Sequence, residues 1–201
     1  MAFPNKIIVV GGSAGGVAAL PALLESFPAD FPAALLVVLH IPMQADDLLA
    51  GLIQRKTALS VHTAVDGQEI EAGHVYLAAP DHHLLIEGKR VRLSHGPREN
   101  RHRPAINPLF RSAAKIYGEQ VIGVLITGQL DDGVIGLNAV KTHRGRCDRA
   151  KPGRSVGTCV GAQRASGGKS RLYAAHRRDG VSCSGIGCSS PSAANKQRGQ
   201  Q

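Results

Sequence analysis

The sequence predicts an open α/β fold: a mostly parallel sheet covered by helices, with an inserted β-hairpin. Three observations carry this. Ile7–Val10, Leu35–Leu39 and Val121–Ile126 are continuous apolar runs rich in β-branched residues, the mark of parallel strands buried on both faces. Each run ends in a turn and is followed by a helical pattern. Leu84–Glu87 and Arg90–Leu93 flank Gly88-Lys89, the signature of a hairpin.

The first run, within Lys6–Val17, breaks at Gly11-Gly12, and Gly15-Gly16 open a helix. Ser13 therefore sits between strand end and helix start, where ligands and reacting groups collect in such sheets. The helix N-terminus adds unpaired N–H groups and partial positive charge. Two readings of this turn are open: a phosphate-cradling loop, or a nucleophilic Ser13 held up to backbone donors. The second requires a histidine and a carboxylate at other strand ends.

Val17–Phe27 reads as a helix with Leu20, Leu23 and Leu24 on its buried face, Pro21 kinking it or opening a new first turn. The second strand ends at His40, which places an imidazole on the same sheet edge as Ser13. Ala45–Lys56 is an amphipathic helix. Leu59–Thr63 alternates like a half-buried strand, Asp66-Gly67 marks a turn, and His74–Ala78 is a further strand. His82 and His83 precede the hairpin. Two adjacent histidines diverge and no third ligand is apparent, so they read as a polar loop rather than a metal site.

Gly96–Pro108 is a loop carrying Arg98, Arg101, His102 and Arg103. It is either a solvated basic loop or an arm that meets an acidic protein surface. Asn107 is placed to cap the next helix, with Pro108 at its first position. That helix runs to about Tyr117. After the third strand, Thr127–Gly133 carries Asp131 and Asp132, read either as helix caps or as the acid that orients an imidazole. A helix follows to Lys141.

The formal charge of +9 suggests nucleic acid until it is located. Before Arg144 there are 12 basic and 13 acidic residues; from Arg144 onward, 12 basic and two acidic. All four cysteines also lie in that tail. The basicity belongs to the tail, so no nucleic-acid partner is expected of the domain. No apolar run approaches a membrane span and no signal-peptide pattern is present, so a cytoplasmic protein without membrane insertion is expected.

In order, V-V-G-G-S-A-G-G, V-V-L-H-I-P, L-A-A-P-D-H-H-L-L-I, R-P-A-I-N-P-L-F-R-S-A-A and I-T-G-Q-L-D-D-G resemble the catalytic domain of the chemotaxis receptor methylesterase family (CheB type), over roughly residues 6–142. The resemblance implies a doubly wound α/β sheet with helices on both faces and a Ser-His-Asp triad. The nucleophile falls on Ser13, the imidazole on His40, and the aspartate, directly before glycine, on Asp132. It places the oxyanion donors at Ala14 and near Gln129, where the family often has methionine; Arg103 is the candidate substrate-facing residue. The implied reaction is hydrolysis of glutamate γ-methyl esters on the cytoplasmic domain of methylated chemoreceptors, releasing methanol, with glutamine deamidation as a second activity. No metal or organic cofactor is implied. Family members often carry an N-terminal receiver domain; here the first strand begins at Lys6, so any phosphorylation control is expected from a separate receiver or signalling domain.

Two other functions are weighed: a nucleotide-phosphate-binding module, and an inactive truncated homologue. Against the first, His40 stands where a ribose-binding acid would end the second strand.

Residues 1–142 read as the catalytic domain and 143–201 as a basic, low-order tail lacking the strand and helix that should come next. Codons permitted for Arg144–Gly153, read one base later, can spell G-G-V-A-I-V-Q-S-P-A. A reading-frame shift near Thr142 or His143 is therefore expected, and with it an exposed sheet edge and reduced stability.

Overall fold

The computed structural model describes residues 4–13, 15–40, 46–126 and 132–149. In chain order the elements are β1 (Lys6–Gly12), α1 (Gly16–Leu24), β2 (Ala33–Leu39), α2 (Asp46–Gln54), β3 (Ser60–Thr63), β4 (His74–Leu77), β5 (His83–Glu87), β6 (Arg90–Ser94), α3 (Ile106–Tyr117), β7 (Val121–Leu125), α4 (Val134–Thr142) and β8 (Arg146–Arg149). A short 3₁₀ turn at Gly118–Gln120 joins α3 to β7.

Six strands form one sheet in the order β3-β4-β2-β1-β7-β8, and every pairing in it is parallel. Period-2 alternation sends successive side chains of the same apolar runs to opposite faces. Ile7, Val9, Leu36 and Val38 join a core with α3, the hairpin and Val140 of α4. Ile8, Val10, Leu35 and Val37 join a second core with Leu20, Leu23 and Leu24 of α1 and Leu49 and Ile53 of α2. Helices thus cover both faces, as a doubly wound sheet requires. Strands β5 and β6 pair antiparallel as the expected hairpin, and the Ile86 N–H donates to Ser112 Oγ of α3 at 3.1 Å.

From β1 the chain passes to β2 on one side and later returns to β7 on the other. The strand order reverses between β1 and β7, and the crevice at the carboxyl ends there is where such folds build sites.

Pro21 lies inside a single helix, α1. Three local features differ from the sequence expectation. His83 is not part of a polar loop but a buried residue opening β5. Its Nε2–H donates to the Pro97 carbonyl at 2.9 Å and its Nδ1 accepts the Ala105 N–H at 3.2 Å, so it pins both ends of the 97–105 loop. Asn107 does not cap its own helix, because α3 begins one residue earlier at Ile106. Finally, a sixth strand, β8, lies beyond residue 142, in a stretch with no apolar run. It pairs with β7 in the register Ile122↔Arg146 to Leu125↔Arg149.

Candidate active site

The carboxyl ends of β1 and β2 lie side by side. Their register ends at Gly12↔Leu39, and the His40 N–H donates to the Gly12 carbonyl at 2.9 Å. Ser13 and His40 are the next residues of these adjacent strands, whose backbones run about 5 Å apart. Gly12 is needed for this closeness: a Cβ there would lie 3.0 Å from both Leu39 and Ile126 side chains and 3.3 Å from the Gly16 backbone. Ser13 is half-buried, and its carbonyl accepts the Gly16 N–H at 2.7 Å, closing the turn into α1.

His40 Nε2 donates to Asp132 Oδ2 at 2.9 Å across 92 residues of sequence. The pair is largely buried: side-chain exposure is 8% for His40 and 0% for Asp132. Asp132 also receives the Ile106 N–H on Oδ2 at 2.7 Å, and the Asn107 N–H and Asn100 Nδ2 on Oδ1, both at 3.1 Å. Burial pushes this carboxyl's pKa up, but hydrogen bonds from His40, Ile106, Asn107 and Asn100 outweigh it and hold the group below the usual aspartate value. Asp132 is therefore ionised at neutral pH, and His40 carries its proton on Nε2. The other ring nitrogen, Nδ1, is buried and without a hydrogen-bond partner among the described residues. A buried ring nitrogen left without a partner calls for an explanation.

Both sequence readings of the aspartate pair meet in one residue. Asp132 caps a helix, though not its own: Ile106 and Asn107 are the first residues of α3. Asn107 returns the arrangement, its Oδ1 accepting the Gly133 and Gly136 N–H groups at 3.0 and 2.7 Å at the start of α4. The two helix N-termini are thus cross-capped. Gly133 takes φ 99°, a left-handed conformation open to glycine, and a Cβ there would meet Leu125 at 2.7 Å.

Arg103 lies elsewhere in this loop and is committed there. Its Nε and Nη2 each lie 2.8 Å from Asp81 Oδ1, and its Nη1 donates to the Gly96 carbonyl at 2.9 Å. Ala14, Gln129 and Asp131 lie outside the described residues. Asn100, His102 and Asn107, by contrast, gather at the His40–Asp132 pair although no motif or spacing marks them for that role. His102 stacks on His40, ring centroids 3.6 Å apart and planes 7° from parallel. Among the described residues no cluster of three or more metal-ligating side chains occurs, and no helix is long and apolar enough to cross a membrane.

Residues 8–157 match the protein family described as CheB methylesterase. The chain belongs to this family. It is 40% identical over 152 residues to the protein-glutamate methylesterase/protein-glutamine glutaminase of Methanosarcina barkeri, covering 72% of this chain and 42% of that protein. It is 40% identical over 145 residues to the like-named protein 5 of Myxococcus xanthus, covering 70% of this chain and 42% of the other. The chain thus spans about two-fifths of the length of these CheB relatives. Its fold matches the crystal structure of the Thermotoga maritima CheB methylesterase catalytic domain with a TM-score of 0.67 and 35% identity, covering 71% of this chain and 77% of that one. The family match includes β8.

Proposed function

We propose that this chain is a methylesterase domain that hydrolyses glutamate γ-methyl esters on the cytoplasmic part of chemoreceptors. The single observation that carries the proposal is the largely buried His40–Asp132 hydrogen bond, with Ser13 at the end of the adjacent strand. The names of the relatives supply the substrate class.

In the proposed reaction Ser13 Oγ attacks the ester carbonyl as its proton passes to His40 Nδ1. Asp132, fixed on Nε2, holds the tautomer that leaves Nδ1 basic and stabilises the imidazolium that forms. The tetrahedral oxyanion is assigned to backbone N–H groups at Ala14 and near Gln129, worth roughly 3–4 kcal/mol per donor at comparable sites. The imidazolium gives its proton to the departing methoxide oxygen, so that methanol leaves; water then enters, and His40 activates it to release the glutamate carboxylate. A glutamine side-chain amide follows the same path with ammonia leaving, which accounts for the second activity. Arg103 is assigned to holding the loop at Asp81 rather than to the substrate. The proposed setting is the cytoplasm, with any phosphorylation control exerted by a receiver or signalling domain.

The test is methanol release from a peptide carrying a glutamate γ-methyl ester. Ser13→Ala is expected to lower kcat by about 10³-fold or more, since members of such a triad act as a unit. Undiminished release by Ser13→Ala overturns the proposal.

A further inference from the structure

The segment between the hairpin and α3 makes a tight turn over the His40–Asp132 pair. The Glu99 N–H donates to the His102 carbonyl at 3.1 Å, and the His102 N–H to the Glu99 carbonyl at 2.8 Å. The two central residues, Asn100 and Arg101, take φ 49° and 67°. This is the geometry of a two-residue turn with both centres left-handed, a conformation that L side chains resist.

Its base is fixed. Glu99 is held by the two terminal guanidinium nitrogens of Arg111 on α3, at 2.9 and 2.6 Å, a bidentate pair with defined geometry. Beyond the turn, Arg103 is tied to Asp81 and Gly96. From this anchored turn two side chains reach the pair: Asn100 Nδ2 to Asp132 Oδ1, and the His102 ring onto the face of His40.

We propose that the Glu99–His102 turn is a clamp on the catalytic pair, with His102 as the positioning residue that fixes the plane of the His40 ring. This rests on the esterase reading above.

The physical need is plain. The His40–Asp132 hydrogen bond fixes one edge of the imidazole but leaves the ring free to tilt about that contact. Tilt swings Nδ1 relative to Ser13. A parallel ring at 3.6 Å removes the freedom by contact over the whole face. The partner must also be uncharged when His40 becomes an imidazolium. Burial, then the charge on His40, lowers the His102 pKa, with Arg98 acting the same way and Asp132 against them. A flat, neutral ring is therefore what the site requires of residue 102, and phenylalanine meets the same need.

The test compares His102→Phe with His102→Leu, which has similar bulk but no flat face, using two readouts. One is kcat for methanol release from the methyl-ester peptide. The other is the proton resonance of the His40 Nε2–H bond to Asp132, assigned by its loss in His40→Gln. His102→Phe is expected to keep kcat within about threefold and to keep the resonance. His102→Leu is expected to lose about tenfold or more in kcat with KM unchanged, since small misplacement of a reacting group is costly, and to broaden the resonance. Equal kcat in His102→Leu and wild type, or equal loss in both variants, overturns the clamp. Should wild type and Ser13→Ala alike release no methanol, the esterase reading fails, and the ring signal decides: broadened by Leu but not Phe, the clamp stands; unchanged by both, it falls.

Discussion

Asp132 orients an imidazole and caps a helix with the same two oxygens. Removing its charge therefore has two separable consequences. In Asp132→Asn, the amide offers one acceptor where the carboxylate offered two, and its NH₂ faces donors. The His40 ring loses the partner that fixes its Nε2–H tautomer, and on the proposed mechanism kcat should fall by about 10⁴-fold. Acid stability should change as well. Because the folded-state pKa of Asp132 lies below the ordinary aspartate value, its contribution is fully present above that ordinary value. It fades as the pH falls through the lower folded value. The urea midpoint of the wild type should therefore drop as the pH is taken below about 4, and Asp132→Asn should be lower at neutral pH and drop less. An acid profile unchanged by the substitution would show that the four hydrogen bonds do not depress this carboxyl. At this scale the sequence was readable where a polar side chain lies just beyond a buried strand: His40 directly follows β2, and Asp132 lies in the turn after β7. Asn100 and His102 were not readable, because their turn lacks the Asn-Gly pair that would mark it: Arg101 stands where glycine is preferred.

Between elements, the site depends on the cross-capping of α3 and α4. Neither helix has a side-chain cap of its own. Each borrows one from the other, and the exchange locks the Asp132 turn onto the start of α3. Asn107→Ala should leave the buried N–H groups of Gly133 and Gly136 without an acceptor. At about 1–3 kcal/mol for an unsatisfied buried group, a clear fall in Tm is expected. The effect should reach catalysis, since Gly133 adjoins Asp132; kcat should fall while KM holds. A destabilised but kinetically normal Asn107→Ala would show that the cap supports the fold without positioning the carboxylate. The sequence marked Asn107 as a cap and Asp132 as either a cap or a catalytic acid, but capping partners are set by tertiary contact across 25 residues, not by local spacing. The same limit applies to His83, whose two loop contacts span 14 and 22 residues.

For the molecule as a whole, the sheet's inner strands were legible because parallel strands covered on both faces must be apolar throughout. Strand β8 was not, since Arg146-Cys147-Asp148-Arg149 has no such pattern, yet the backbone of these four residues continues the parallel ladder. The mismatch bears on the expected reading-frame shift. In the shifted frame permitted codons can spell Val-Ala-Ile-Val at positions 146–149, the composition an added parallel strand calls for. At 144, where Arg144 takes φ 63°, the shifted frame can supply glycine, for which that conformation is cheap. At 145 both frames give glycine, and the fold needs it: a Cβ on Gly145 would lie 2.6 Å from Val140 and 2.9 Å from the Val121 carbonyl. The proposal that this stretch was written in another frame thus agrees with the backbone at all six positions. Combining Arg144→Gly, Arg146→Val, Cys147→Ala, Asp148→Ile and Arg149→Val should raise Tm by roughly 5 °C or more, since relief of one left-handed residue and added apolar burial are each worth about 1 kcal/mol or more. A Tm unchanged or lowered by the five substitutions, or a coding sequence in which no one-base shift yields an apolar run at 146–149, would overturn it.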